Sequence, residues 1–221
     1  MERIFANLFR ISVRKGSLSH TYFLKRKKGN ILISHHSMPS PEDLAEIEAM
    51  GGIESQWVCH SHDLLRKPSR EDLHGPSHED LHARFGCTLH YHEVERPLVQ
   101  KKTKCPNTVF EGERTKRGTD FEALYLPTCT VGHSIYRWRT RGKYCLFTSH
   151  AMYYRDGEWD LKFDLKHADS WQPQLQGLAD LQVDYVFPGY TSVKGPAFYP
   201  LDEKAKVSLS DALKAKAKDA A

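Results

Sequence analysis

A short apolar strand that runs straight into paired histidines is the feature that most limits what this chain becomes. Trp57-Val58-Cys59 leads directly into His60-Ser61-His62-Asp63. Alternate residues leaving a strand end project to one side, so His60 and His62 are expected to face a common ion while Ser61 turns away. Seventy-one residues beyond His62, the turn Gly132-His133-Ser134 follows a further strand, and Pro188-Gly189-Tyr190 closes a later one. Imidazole is the commonest metal-ligating side chain. Two convergent histidines with a distant third suit a catalytic zinc that keeps one position open.

The elements around these turns read as a mixed α/β chain. Strands are expected at Ile4–Val13, Thr21–Leu24, Ile31–Ser34 and Ser55–Cys59, and again at Thr88–His92, Ala123–Leu126, Ser134–Trp138, Lys143–Thr148 and Tyr185–Phe187. A helix is expected from Pro41 to Met50, with Ser40 as its cap, Pro41 at the first helical position and Gly51-Gly52 as its stop. A second starts at Ser77, with Asp80 completing a capping pattern, and ends before Gly86. A third spans about Gln172 to Leu181. Strands that alternate with helices and hairpins argue an α/β sandwich rather than a helical bundle.

With 221 residues, 39% of them hydrophobic, the chain fits one domain. We place that domain at residues 3–205, followed by a helical or disordered tail over 206–221. No window approaches eighteen uninterrupted apolar residues, so no membrane segment is expected, and the N-terminus does not read as a secretory signal. Five cysteines without a C-x-x-C pair point to reduced, mostly buried thiols in a cytoplasmic protein. The net charge of +4 is mild, and its one dense run, Lys25-Arg26-Lys27-Lys28, lacks interleaved aromatics. It reads as a solvated hairpin turn rather than a nucleic-acid surface.

Seven of the thirteen histidines fall between His60 and His92, a clustering that scattered surface histidines would rarely show. His78-Glu79-Asp80-Leu81-His82 matches the zinc-helix pattern H-E-x-x-H, but it occupies the frayed first turn of a short helix, and a core-edge helix explains it equally well. No G-x-S-x-G, P-loop or dinucleotide fingerprint is present. Cys59 adjoins the histidine pair and reads as a buried strand-end thiol before it reads as a nucleophile.

The order of these features resembles the metallo-β-lactamase-fold hydrolases. Asn30-Ile31-Leu32-Ile33-Ser34-His35-His36-Ser37 is similar to the family's second strand and polar turn, and Glu42 to Gly52 to its helix. Gln56-Trp57-Val58-Cys59-His60-Ser61-His62 resembles the strand and first half of His-x-His-x-Asp-His. Gly132-His133-Ser134 resembles the Gly-His-Thr/Ser turn, Leu146-Phe147-Thr148-Ser149-His150 the Leu-Phe-Thr-Gly-Asp segment, and Val186-Phe187-Pro188-Gly189-Tyr190 the closing Val-Leu-Pro-Gly-His.

This resemblance implies a four-layer αββα sandwich and a metal-dependent hydrolase of an ester, thioester or phosphoester in a small-molecule substrate. It implies one zinc, or alternatively iron, at His60, His62 and His133, with His150 as a nitrogen donor where the family has a bridging carboxylate. The second metal site is incomplete: Leu64-Leu65 replace Asp-His, and Tyr190 replaces the closing histidine. Asp63 is the nearest replacement base, and Asp72, His74, His78 and His82 are further candidates to replace missing ligands. Tyr190 is read as a donor to a substrate oxygen or as a ring that fills the vacated position. Two other readings stay open: a catalytically silent binding protein on the same fold, and a mononuclear-iron redox or dioxygen enzyme.

Overall fold

The computed structural model describes residues 1–11, 19–35, 38–64, 76–155, 157–190 and 196–219. The chain divides into two compact units, one formed by Met1–Phe110 and one that begins at Glu111. Each is a sheet that carries its own helices.

The first unit holds β1 (Glu2–Phe5), β2 (Leu8–Arg10), β3 (Tyr22–Leu24), β4 (Ile31–Ile33), α1 (Pro41–Ala49), β5 (Ser55–Trp57), α2 (His78–Phe85), β6 (Thr88–His92), α3 (Arg96–Val99) and β7 (Asn107–Phe110). The sheet follows chain order from β1 to β7. Pairing is antiparallel as far as β4 and parallel from β4 to β7. Of the single strand expected over Ile4–Val13, the described part is a hairpin broken at Ala6-Asn7, and Ser12 and Val13 lie outside the described residues.

α1 and α2 start where their caps dictate. Ser40 Oγ accepts from the Asp43 amide and the Asp43 carboxylate accepts from the Ser40 amide, and Ser77 and Asp80 repeat this reciprocal pair on α2. Gly86, at φ 69°, ends α2 in the left-handed region that a residue with a Cβ avoids. Leu44, Ile47 and Leu81 from the helices close a core with Phe23, Leu32 and Ile53.

The second unit holds β8 (Arg114–Arg117), β9 (Phe121–Tyr125), β10 (Ser134–Thr140), β11 (Lys143–Ser149), β12 (Met152–Arg155), β13 (Glu158–Leu161), α4 (Ala168–Ala179), β14 (Tyr185–Pro188), β15 (Tyr199–Pro200) and α5 (Glu203–Asp219). Its sheet runs β15-β14-β11-β10-β9-β8, and β12 and β13 form a separate hairpin. Ile135, Leu146 and Val186 from one face pack with Trp171, Leu175 and Leu178 of α4 and with Leu209 and Leu213 of α5. The boundary expected at residue 205 therefore falls inside a helix. The segment over 206–219 is helical, one of the two forms expected for it, and its Leu213 is fully buried. The third helix begins at Ala168, earlier than the expected Gln172, and Pro173 lies within it. No helix among the described residues is long and apolar enough to cross a membrane.

Candidate metal centre

In the first unit β5 stops at Trp57, and the histidine pair lies beyond it on a 3-10 turn, Ser61–Asp63. The convergence expected from the strand pleat comes instead from this turn: the His60 and His62 rings lie 4.9 Å apart between centroids. His60 is fully buried and His62 is exposed. Partial burial, reinforced by the neighbouring His60, lowers the His62 pKa from its ordinary value.

The turn is held from both sides. The Ser61 amide donates to the buried Glu95 carboxylate at 2.8 Å, and the Lys102 ammonium donates to the Ser61 carbonyl at 2.5 Å. Asp63 is 3% exposed, and its Oδ2 lies 3.1 Å from Nδ1 of His60 and 3.1 Å from Nδ1 of His35. Burial alone would raise the Asp63 pKa, but His60 and His35 hold it well below the usual carboxylate range. The residue read from the sequence as the nearest replacement base is thus a buried carboxylate set between two imidazoles. Cys59 joins this buried cluster, with ligating atoms of His35, Cys59 and Asp63 all within 4.8 Å of one another.

Leu64, which stands where the resembled motif has aspartate, is 1% exposed and packs with Val58, Leu89, Tyr91 and Val99. That position serves the core. Leu65, Asp72 and His74 lie outside the described residues.

Most of the clustered histidines have structural work. His90 stacks on Trp57 at 4.5 Å and 9°, and Nδ1 of His92 accepts from the Val94 amide. Gln56 grips buried His78 twice, through the His78 carbonyl at 3.1 Å and through Nδ1 at 2.8 Å. Nδ1 of His82 bonds the Cys87 carbonyl at 3.0 Å. Glu79, the would-be base of H-E-x-x-H, accepts from Thr103 Oγ1 and the Lys104 amide. The zinc-helix reading has no support in this geometry.

In the second unit His133 precedes β10 and is fully buried. Its Nδ1 lies 2.9 Å from the Leu126 carbonyl and 3.1 Å from Thr128 Oγ1. A carbonyl only accepts, so Nδ1 carries the proton and Nε2 keeps its lone pair, the tautomer a metal-binding imidazole needs. Ser149 ends β11 at φ 52°, a left-handed conformation in which the resembled segment has glycine. The next residue, His150, lies 5.9 Å from His133 between ring centroids. Its ligating nitrogen is within 4.8 Å of the sulfur of half-buried Cys129. The Gly189 amide donates to the Ser149 carbonyl at 2.7 Å, tying the Pro-Gly turn to the end of β11, and Tyr190 follows at 43% exposure.

Sequence reasoning singled out His60, His62, His133 and His150 but missed His35, Glu95, Lys102 and Cys129. A lone cysteine four residues before His133 carries no spacing signal. Glu95 and Lys102 reach the turn from the stretch that follows β6, where no motif marks either of them.

No family model matches the sequence, and no curated protein matches it. Solved structures do. The DIM-1 metallo-β-lactamase is 16% identical over 100% of this chain and 97% of its own, with a TM-score of 0.64. MIM-1 from Novosphingobium pentaromativorans is 14% identical over 98% of this chain and 88% of its own, at 0.62. The chain has the metallo-β-lactamase fold. BJP-1, a subclass B3 metallo-β-lactamase of Bradyrhizobium japonicum, gives 14% identity over 99% of this chain and 92% of its own, at 0.59. In metallo-β-lactamase terms the chain is therefore α/β with two large sheets, each with its own helices, as the sequence led one to expect.

Proposed function

We propose that this chain is a metal-dependent hydrolase of an ester, thioester or phosphoester that uses one zinc ion, with His60 and His62 the candidate ligands of the first unit and His133 that of the second. His150 and Cys129 are additional donors on the second unit. The observation that carries the reading is the tautomer of His133, whose Nδ1–H is committed to the Leu126 carbonyl. Asp63 against Nδ1 of His60 supports the same pattern in the first unit. Imidazole nitrogens with one thiolate form a borderline-soft donor set that fits zinc.

Bound there, zinc would supply a Lewis acid and hydroxide at neutral pH. The chain's own residues do the rest. Asp63 fixes the His60 ring, Glu95 and Lys102 fix the turn that carries it, and the Tyr190 hydroxyl donates to a substrate oxygen. Leu64, packed into the core, supports a single ion rather than two. Buried thiols at Cys87, Cys105 and Cys145, whose pKa values burial pushes up to about 11, 12 and 12, suit a cytoplasmic protein.

The test is elemental analysis of protein from zinc-supplemented cells, joined to turnover of generic thioesters and phosphodiesters. About one equivalent is expected, lost in His60→Ala and in His133→Ala. Two equivalents overturn the single-ion claim. One equivalent without turnover supports the silent binder, and colour with an EPR signal supports iron.

A further inference from the structure

The sheet of the second unit changes character along one face. Register places Ile135 opposite Leu124, Arg137 opposite Glu122 and Leu146, and Arg139 opposite Tyr144, while Lys116 on β8 also faces Glu122. Period-two alternation puts all of these on the face that bears Ile135 and Leu146. At one end that face is apolar and covered by α4 and α5. At the other it becomes a cavity of about 330 Å³ lined by Arg114, Lys116, Glu122, Arg137, Arg139 and Tyr144.

A charged edge strand is by itself only protection against pairing with another sheet. Arg137, however, sits on β10, inside the sheet, and is 8% exposed. It is held in place: its Nη1 bonds Glu122 Oε1 at 3.0 Å, and its guanidinium carbon lies 4.0 Å over the Tyr144 ring. Arg114 takes the other Glu122 oxygen with Nε at 2.7 Å and Nη2 at 2.6 Å. One carboxylate is thus consumed by two guanidinium groups. Asp120, the other acid of the cavity, accepts from Trp138 Nε1 at 3.1 Å. Lys116 and Arg139, both exposed, form no ion pair among the described residues. The buried Nε–H of Arg137 has no acceptor there either.

We propose that this cavity binds a phosphate-bearing small molecule. Four cations against two acids call for a multiply charged anion, and guanidinium forks match the oxygens of a phosphoryl group. The volume is that of a small-ligand pocket. Arg137 covers a face of Tyr144, so the ring is no open platform for stacking successive bases, which favours a small ligand over a nucleic-acid strand. The proposal stands apart from the metal reading, since every lining residue belongs to one unit and none is a candidate ligand.

The experiment is calorimetric titration of the full chain with inorganic pyrophosphate at low salt, without divalent metal. Saturable binding is expected, weakened ~10-fold or more in Arg139→Ala and in Lys116→Ala, and further in Arg139→Glu. Both residues are exposed, and an unchanged melting temperature confirms that these variants fold. His60→Ala should bind pyrophosphate as the parent does. No binding at millimolar pyrophosphate overturns the proposal. So does binding lost in His60→Ala but kept in Arg139→Ala, or binding of a single-stranded oligonucleotide where pyrophosphate fails.

Discussion

Nδ1 of His60 lies 3.1 Å from Oδ2 of Asp63, three residues further along the same turn. The carboxylate fixes which nitrogen carries the proton and which way the ring points, and its charge strengthens the imidazole as a donor. Asp63→Asn keeps the shape and removes the charge. Zinc affinity should fall ~10–100-fold in competition with a chromophoric chelator. An unchanged affinity would assign Asp63 to packing alone.

Thiol chemistry should single out Cys129. Burial pushes the thiols of Cys87, Cys105 and Cys145 well above neutrality, and thiolate is the reactive form. Iodoacetamide on the native metal-free protein should therefore modify half-buried Cys129 first, as read by peptide mass spectrometry. Added zinc should slow that labelling. Equal labelling with and without zinc would remove Cys129 from the donor set.

Acid should weaken the fold through His78. Burial lowers its pKa from 6.5 to about 4, so the folded chain keeps it neutral while the unfolded chain takes up a proton near 6.5. The unfolded state therefore binds more protons between these values. Its contribution is intact above pH 6.5, falls on acidification, and is fully lost below about pH 4. At pH 5 the loss is about 2 kcal/mol. Urea midpoints at pH 7.5 and pH 5 should differ less in His78→Gln than in the parent; equal differences would contradict the burial argument.

Leu213 tests the standing of the last helix. It is fully buried beside Trp171 and Leu175 in one core. Leu213→Ala should destabilise by about 2–5 kcal/mol. A tail laid loosely on the surface would give a change within about 0.5 kcal/mol.

Local chemistry made α1 and α2 readable: Ser40, Ser77 and Gly86 announce their ends in the sequence, and the caps form as read. β6 was readable because Thr88–His92 is a bounded, aromatic-rich run. What escaped notice lies at sheet edges or in isolated hairpins. β7, β8 and β15 are edge strands, and Arg114–Arg117 has no apolar alternation to betray it, since its pairing with β9 is decided by its neighbour. The histidine cluster misled for a related reason. Whether an imidazole stacks, caps or binds depends on partners distant in sequence, as Trp57 is for His90 and Gln56 for His78. The turn before β10 that carries His133 was legible because a Gly-His turn at a strand end is a local pattern, whereas the encounter of His35 with Asp63 is not.

The sheet of the first unit cannot be assembled from hairpins alone. β4 and β5 pair in parallel across α1, and β5 and β6 in parallel across α2. Each pairing has to close a long loop before any ladder bond repays the lost chain entropy, which makes such topologies slow to fold. In the second unit β10 and β11 are joined by the two-residue turn Arg141-Gly142, and antiparallel β9 pairs with its next neighbour β10, so these strands can zip locally. The histidine pair hangs from β5, whose two partners are both parallel, so its turn should acquire its shape late, long after the β10–β11 hairpin has closed.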